Sequence, residues 1–256
     1  LDALLADTCR LAQNSPEDPY AGLPESNQLA KEIPMLDLFD PEAQALPIGE
    51  KIALAKRAES AALSADPRIT NSEGASLGHG TDTVFYATTN GFSGSYTGSS
   101  SSLSVSPIAS ENGSMQRDYW YSSQRKYKHL QSPEEVGKIA ALRAVRRLGA
   151  RSVATREAPV VFDPEMSASL LSCLTAALSG YALYKKASFL IDCIGTKIAA
   201  DGITIVDDPT VPGALGTKPF DGEGLPSYKK TVVENGVLKS YLLDTYSGKK
   251  LGLPST

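Results

Sequence analysis

Histidine and cysteine are scarce in this chain: two and three residues respectively among 256, beside a single tryptophan. The histidines, His79 and His129, lie far apart, in Gly-rich and Lys-rich stretches that read as loops. No His-Glu-x-x-His pair and no Cys-x-x-Cys spacing occurs, so the common zinc patterns are missing. An odd cysteine count (Cys9, Cys173, Cys193) argues against a disulfide scaffold and fits a reducing, cytoplasmic setting. Cys173 and Cys193 stand in apolar runs and are expected to be small core residues. A nucleophile elbow is also lacking; Gly91-Phe92-Ser93-Gly94 is a partial match within a turn-rich region. Gly78-His79-Gly80 has neither the further glycine nor the lysine of a phosphate loop. Excess positive charge is absent too: 25 basic against 29 acidic residues leave a net charge of −4. That balance removes the field that drives sequence-independent nucleic-acid binding, so no nucleic-acid partner is expected. The uncharged run Met166–Tyr184 is diluted by Ser, Thr and Gly and falls short of the roughly 20 apolar residues of a membrane span. It is expected to be a buried helix. No secretory signal is visible at Leu1.

What the chain does have is an ordinary globular balance, 41% apolar and 21% charged residues. Leu1, Leu4, Leu5, Leu11 and Ala12 are spaced for a helix. A Pro-rich connector follows to Pro47, within which Asp40-Pro41 looks like a helix cap and first-turn proline. An Ala- and Leu-rich helix is predicted over 48–65. From Arg68 to Tyr121 short apolar segments alternate with Gly, Ser and Asn-Gly turns, predicting short strands in an antiparallel meander. Ser132, Pro133 and Glu135 form a capping box for the next helix, which Gly149 ends. Its late Lys138, Arg143, Arg146, Arg147 and Arg151 are taken to complement the helix dipole rather than to bind an anion. Pro159–Phe162 is predicted as a strand, Asp163-Pro164 as the cap of a helix reaching Leu178, and Ile203–Val206 as another strand. A last hairpin, Tyr228–Val233 with Val237–Leu243, turns at Glu234-Asn235-Gly236. Acidic pairs at Asp207-Asp208 and Asp221/Glu223 read as turns. The fold class is therefore α+β, antiparallel sheets with packed helices.

The C-terminal half also carries a resemblance. VVFDPEMSASLLSCLTAALSGYALYKKASFL (Val160–Leu190), the IVDDP run ending at Pro209, and YLLDTYSGKKLGLPST at the end strongly resemble the PmbA (TldE) branch of the TldD/PmbA family. So do ADPRITNSEGAS (Ala65–Ser76) and LGAR (Leu148–Arg151). In that family the TldD-type subunits carry His-Glu-x-x-x-His on the helix after this strand. Aligning the shared Leu-Leu with Leu170-Leu171 puts that motif on Ser172–Ala177, where Ser172 and Ala177 replace the histidines and Cys173 the glutamate. The resemblance thus implies a chain with no catalytic residue, no metal ligand and no cofactor of its own. It implies a non-catalytic partner of a TldD-type subunit in a cytoplasmic zinc peptidase acting on peptides and unfolded segments, the zinc belonging to that partner. A homodimer is the option for the chain alone. The implied organisation is a remnant of a first domain over 1–38 and a central domain over 39–152. An incomplete C-terminal domain over 153–256, of mixed α/β, barrel-like form, follows. Starting without Met and stopping where family members continue into a Gly- and Asn-rich stretch, the chain is expected to be an internal piece of a longer protein.

Tyr181, Tyr184, Lys185 and Lys186, just past the degenerate motif, are the expected contacts to peptide or partner; a plain cationic helix end is the competing explanation. Two rival functions stay open. One is an autonomous hydrolase with Cys173 as nucleophile, and the other a binding module for DNA or gyrase, echoing the family's label as modulators of DNA gyrase.

Overall fold

A computed structural model describes residues 2–256. The chain is α+β, as expected, with helices packed on antiparallel sheets. It divides into two compact units, each assembled from separated segments. One, the central unit, comprises Leu29–Val160 and Asp208–Lys229; the other comprises Leu1–Gln28, Val161–Asp207 and Lys230–Thr256.

The central unit begins with α2 (Pro41–Ala45) and α3 (Ile48–Ser64) and then runs into two long strands, β1 (Ile69–Ala87) and β2 (Ser93–Glu111). These pair antiparallel along nearly their whole length, in register from Ala75 opposite Val105 to Ala87 opposite Ser93. The expected antiparallel meander forms, but its first two strands are long, 19 residues each, rather than short. Gly and Ser are poor signals of strand length, yet every other residue from Ser101 to Ala109 is buried, the period-2 mark of a half-buried strand. Asn90-Gly91 and Asn112-Gly113 lie at the turns, as predicted. The strands β3 (Ser114–Arg117) and β4 (Trp120–Gln124) both pair with β2, leaving β1 at the sheet margin.

The helix α4 (Pro133–Arg146) has the predicted capping box of Ser132 and Glu135 and lies against α3 and the sheet. Small residues permit a close approach. Ala58 and Ala62 face Val136, Ala140, Ala141 and Ala144 in one core. A Cβ at Gly137 would overlap the carbonyl of Ala58, so only glycine allows this helix spacing. Segment 208–229 is held to the same unit by the Arg125 guanidinium, which donates to the carbonyls of Ser99, Ala214, Leu215 and Thr217 at 2.7–3.2 Å. Phe220 packs edge-on against Phe92 at 4.9 Å and Tyr96 at 5.3 Å.

The other unit holds α1 (Asp2–Gln13), α5 (Pro164–Leu178), α6 (Gly180–Tyr184), α7 (Thr245–Leu251) and a three-stranded antiparallel sheet of β5 (Ile205–Asp207), β6 (Lys230–Glu234) and β7 (Val237–Leu238). Asn235 and Gly236 take φ of 48° and 82°, as the predicted Asn-Gly hairpin turn requires. Leu178, Leu183, Val233, Leu238, Tyr241 and Leu243 form its core.

Four expectations fail. Pro159–Phe162 is not a strand; among the described residues it pairs with no other strand, and Val161 is 97% exposed. The helix α5 is not buried: only Ala177 and Leu178 are, while Met166, Leu170 and Leu171 are 58%, 49% and 47% exposed. Cys173, on the same open surface, is exposed rather than core, and Cys193 is half-buried. His79, expected in a loop, sits in β1, where its Nδ1 lies 3.1 Å from the Ser101 hydroxyl. Among the described residues, no helix is long and apolar enough to cross a membrane.

Candidate functional site

The capped helix α5 leads directly to the residues singled out in the sequence. Asp163 accepts from the Glu165 N–H at its start, and Ser179 ends it while capping α6. Along α5 the Ser172 hydroxyl donates to the Ala168 carbonyl at 3.0 Å, Cys173 is exposed, and Ala177 is buried with a bare methyl. Zinc needs three or four lone-pair donors converging at about 2.0–2.3 Å. One thiol and a hydroxyl engaged with its own helix do not meet that need. Among the described residues no group of three or more His, Cys, Asp or Glu could hold a metal ion. The zinc of the TldD-type motif does not fit this helix.

The following turn is more crowded. The start of α6 can lie against α7 because residue 180 is glycine: a Cβ there would collide with the Ser247 side chain. The Gly180 N–H donates to the Leu242 carbonyl at 2.8 Å, and that of Leu242 to Leu178 at 3.0 Å, tying the two segments by main chain. This approach stacks tyrosines. Tyr184 meets Tyr181 edge-on at 5.5 Å and Tyr246 at 5.7 Å. Lys250, one turn beyond Tyr246, places its ammonium 4.9, 5.1 and 5.4 Å from the rings of Tyr246, Tyr184 and Tyr20. Distances of this order are attractive for a cation over a ring face. Asp18 closes the group: it accepts from the Tyr246 hydroxyl at 2.6 Å and from the Tyr20 N–H at 3.0 Å, and lies 3.9 Å from Lys250.

The electrostatics follow from these contacts. The Tyr246 hydroxyl, then the Tyr20 N–H, hold the Asp18 carboxyl below the ordinary carboxylate range. Lys250 is raised, chiefly by its bond to the Tyr246 hydroxyl, against a desolvation cost that acts the other way. Tyr184 is pushed up, first by desolvation among its neighbours. All three groups are held in their resting protonation states across the neutral range. None of the three shifts moves its group toward neutral pH.

Of the four residues named from the sequence, Tyr181 and Tyr184 join this cluster, and Lys185 lies beside it, 5.7 Å from the Tyr184 ring. Lys186 instead serves the local backbone. At φ 56° it ends α6, its N–H donating to the Leu183 carbonyl at 3.0 Å. Asp18, Tyr20, Tyr246 and Lys250 were not anticipated. No spacing signal links the Pro-rich connector to the last helix, although Tyr246 and Lys250 stand four apart, on one helix face.

The other polar candidates are occupied. Arg143 and Arg147 reach Asp118 at 3.6 and 3.5 Å, and Arg143 lies over the Trp120 ring at 5.2 Å. Asp208 accepts from Thr210 and pairs with Lys229 at 3.5 Å. Asp221 accepts from the Glu223 and Leu225 N–H groups, as a turn carboxylate does. Cys173 has no base within hydrogen-bond reach among the described residues.

Comparison with known proteins is consistent with this layout. Residues 41–148 match the PmbA/TldA metallopeptidase central domain, and residues 155–256 match the C-terminal domain of the same family. Metalloprotease PmbA of Escherichia coli O157:H7 is 41% identical over 96% of this chain and 54% of its own length. The PmbA homologue of Haemophilus influenzae is 38% identical over the same shares. A crystal structure from Bacteroides thetaiotaomicron, described as a candidate modulator of DNA gyrase, superposes with a TM-score of 0.89 at 33% identity, covering 95% of this chain and 56% of that one. The chain spans about half the length of the curated relatives it matches. With two consecutive domain models and PmbA relatives matched over 96% of this chain in agreement, the chain belongs to the PmbA/TldD family, on its PmbA side.

Proposed function

We propose that this chain is part of a companion subunit in a cytoplasmic peptidase of the PmbA/TldD family, in which a TldD-type partner holds the zinc and performs the hydrolysis. The observation that carries this reading is the donor set on α5. Where the resemblance expects His, Glu and His, the chain presents Ser172, Cys173 and Ala177. Hydrolysis by zinc requires both a metal cage and a general base, and these side chains offer neither. What remains is binding. Tyr181, Tyr184, Lys185 and the caged Lys250 form an amphipathic surface suited to a peptide or subunit face, since tyrosine gives contact area with a polar tip. Substrates of such a complex are peptides and unfolded segments, recognised mainly through main-chain hydrogen bonds.

Co-purification with a TldD-type subunit tests the pairing. The expected result is a hetero-oligomer whose peptidase activity is lost on chelation and is unaffected by Cys173→Ala. Failure to associate at any salt concentration contradicts it. Chelator-resistant activity of the chain alone that disappears in Cys173→Ala would instead establish the autonomous hydrolase.

A further inference from the structure

Asn-Gly pairs occur at Asn90-Gly91, Asn112-Gly113 and Asn235-Gly236, and the fold restrains them to different degrees. Asparagine is chemically labile, and before a glycine it can cyclise. The glycine backbone nitrogen attacks the side-chain amide carbon, and ammonia leaves. Water then opens the five-membered imide at one carbonyl or the other, giving aspartate or isoaspartate. The step needs a glycine nitrogen that is not donating its proton elsewhere, and a side chain that can swing towards it.

Asn235-Gly236 meets neither need. The Gly236 N–H donates to the Ile203 carbonyl at 2.8 Å, and the Asn235 side-chain oxygen accepts from the Gly202 N–H at 2.6 Å. That turn is also enclosed, since a Cβ at Gly236 would overlap the Ala199 carbonyl. At Asn90-Gly91 the Gly91 N–H donates to the Thr88 carbonyl at 3.2 Å, and the Asn90 side-chain oxygen accepts from the Thr88 hydroxyl. Asn112-Gly113 is the unrestrained pair. Among the described residues, neither the Gly113 N–H nor the Asn112 side chain has a hydrogen-bond partner. Both residues are exposed, and nothing lies within 4 Å of a Cβ placed on Gly113. The two make up the whole loop between β2 and β3, with φ of 50° and 77°. Hairpin tips of this kind open locally at small cost.

We propose that Asn112 is a site of spontaneous deamidation in the folded protein, and that hydrogen bonds protect Asn90 and Asn235. Isoaspartate at 112 lengthens the two-residue turn by one backbone carbon. It also places a new carboxylate next to Glu111, which lies 3.7 Å from Arg68. Because β3 has only four residues, its pairing with β2 loosens on conversion. This site is independent of the companion-subunit reading, since it needs neither the tyrosine cluster nor a catalytic partner.

The test incubates the full-length protein at mildly alkaline pH, where the glycine nitrogen loses its proton more readily, and follows each asparagine by peptide mapping with mass spectrometry. Asn112 should convert roughly tenfold faster than Asn90 or Asn235, the factor expected when one or two hydrogen bonds must open first. In urea the three rates should converge, because the restraint belongs to the fold. Asn112→Gly keeps a turn that tolerates positive φ at both positions; it should abolish the fast conversion and leave the other two sites unchanged. Amide exchange in β3 should quicken in the converted protein, and unchanged exchange there overturns the loosening of the hairpin. Conversion of Asn112 no faster than that of Asn90 or Asn235 overturns the proposal. So does a lead for Asn112 that persists undiminished in urea.

Discussion

Helices α3 and α5 are built from much the same residues, Ala, Leu and Ser, and yet they meet opposite fates. The less apolar one, α3, carries two lysines, an arginine and two glutamates and buries three alanines. The more apolar one, α5, is uncharged from Met166 to Leu178 and buries only its last two residues. Burial is thus decided by a facing surface, not by a helix's own hydrophobicity. α3 has that surface because Gly137 and the alanines of α4 let two backbones come together above a wide sheet. In the unit containing α5, the comparable close approach is that of Gly180 to Ser247, beyond the end of α5.

The contrast can be broken by substitution. Gly137→Leu forces side-chain atoms into the Ala58 carbonyl and should cost about 3 kcal/mol or more, at the upper end of overpacking effects. Chemical denaturation would show it as a lowered midpoint. Gly180→Ala presses on Ser247 and should cost roughly 1–3 kcal/mol. It should also separate Tyr184 from Tyr246, which a change in tyrosine fluorescence or near-UV dichroism would report.

The Asp18–Lys250 contact has a signed pH dependence. Asp18 is depressed below 3.8, so its contribution is present above that value and lost as pH falls through the folded pKa. Lys250 is raised above 10.5, so its contribution is complete below that value and lost as pH rises through the folded pKa. The contribution of this contact to the melting temperature should therefore be flat between these limits. Lys250→Met should lower the plateau slightly and remove part of the alkaline fall, while Asp18→Asn should blunt the acid one. The smallest effect belongs to α5: Leu171→Ser should change stability by under about 0.5 kcal/mol, because the side chain is already in water. A loss as large as that of Gly137→Leu would mean that α5 is covered after all.

How much of this was legible beforehand follows the same division. Local signals were dependable. The Ser132 capping box, the Asp40 and Asp163 caps and the Asn235-Gly236 turn each depend on neighbours in sequence, and each formed. Strand length was not legible, because the Ser- and Gly-rich stretch of β2 is held by its pairing to β1 and β4, not by propensity. Nor was burial of α5 and Cys173, since apolar sequence carries no information about what lies opposite. Two members of the tyrosine cluster, Tyr181 and Tyr184, were found from their position after the degenerate motif. The rest, Asp18, Tyr20, Tyr246 and Lys250, comes from segments more than 200 residues apart, which only the fold brings together.

The companion-subunit account is most directly exposed by zinc stoichiometry. The chain would be equilibrated with zinc and desalted, alone and together with a TldD-type subunit, and bound metal counted per polypeptide. The account predicts no retained zinc on this chain and a full complement in the mixture, unchanged by Cys173→Ala. One tightly held zinc per chain in the absence of any partner, lost on Cys173→Ala, would contradict it.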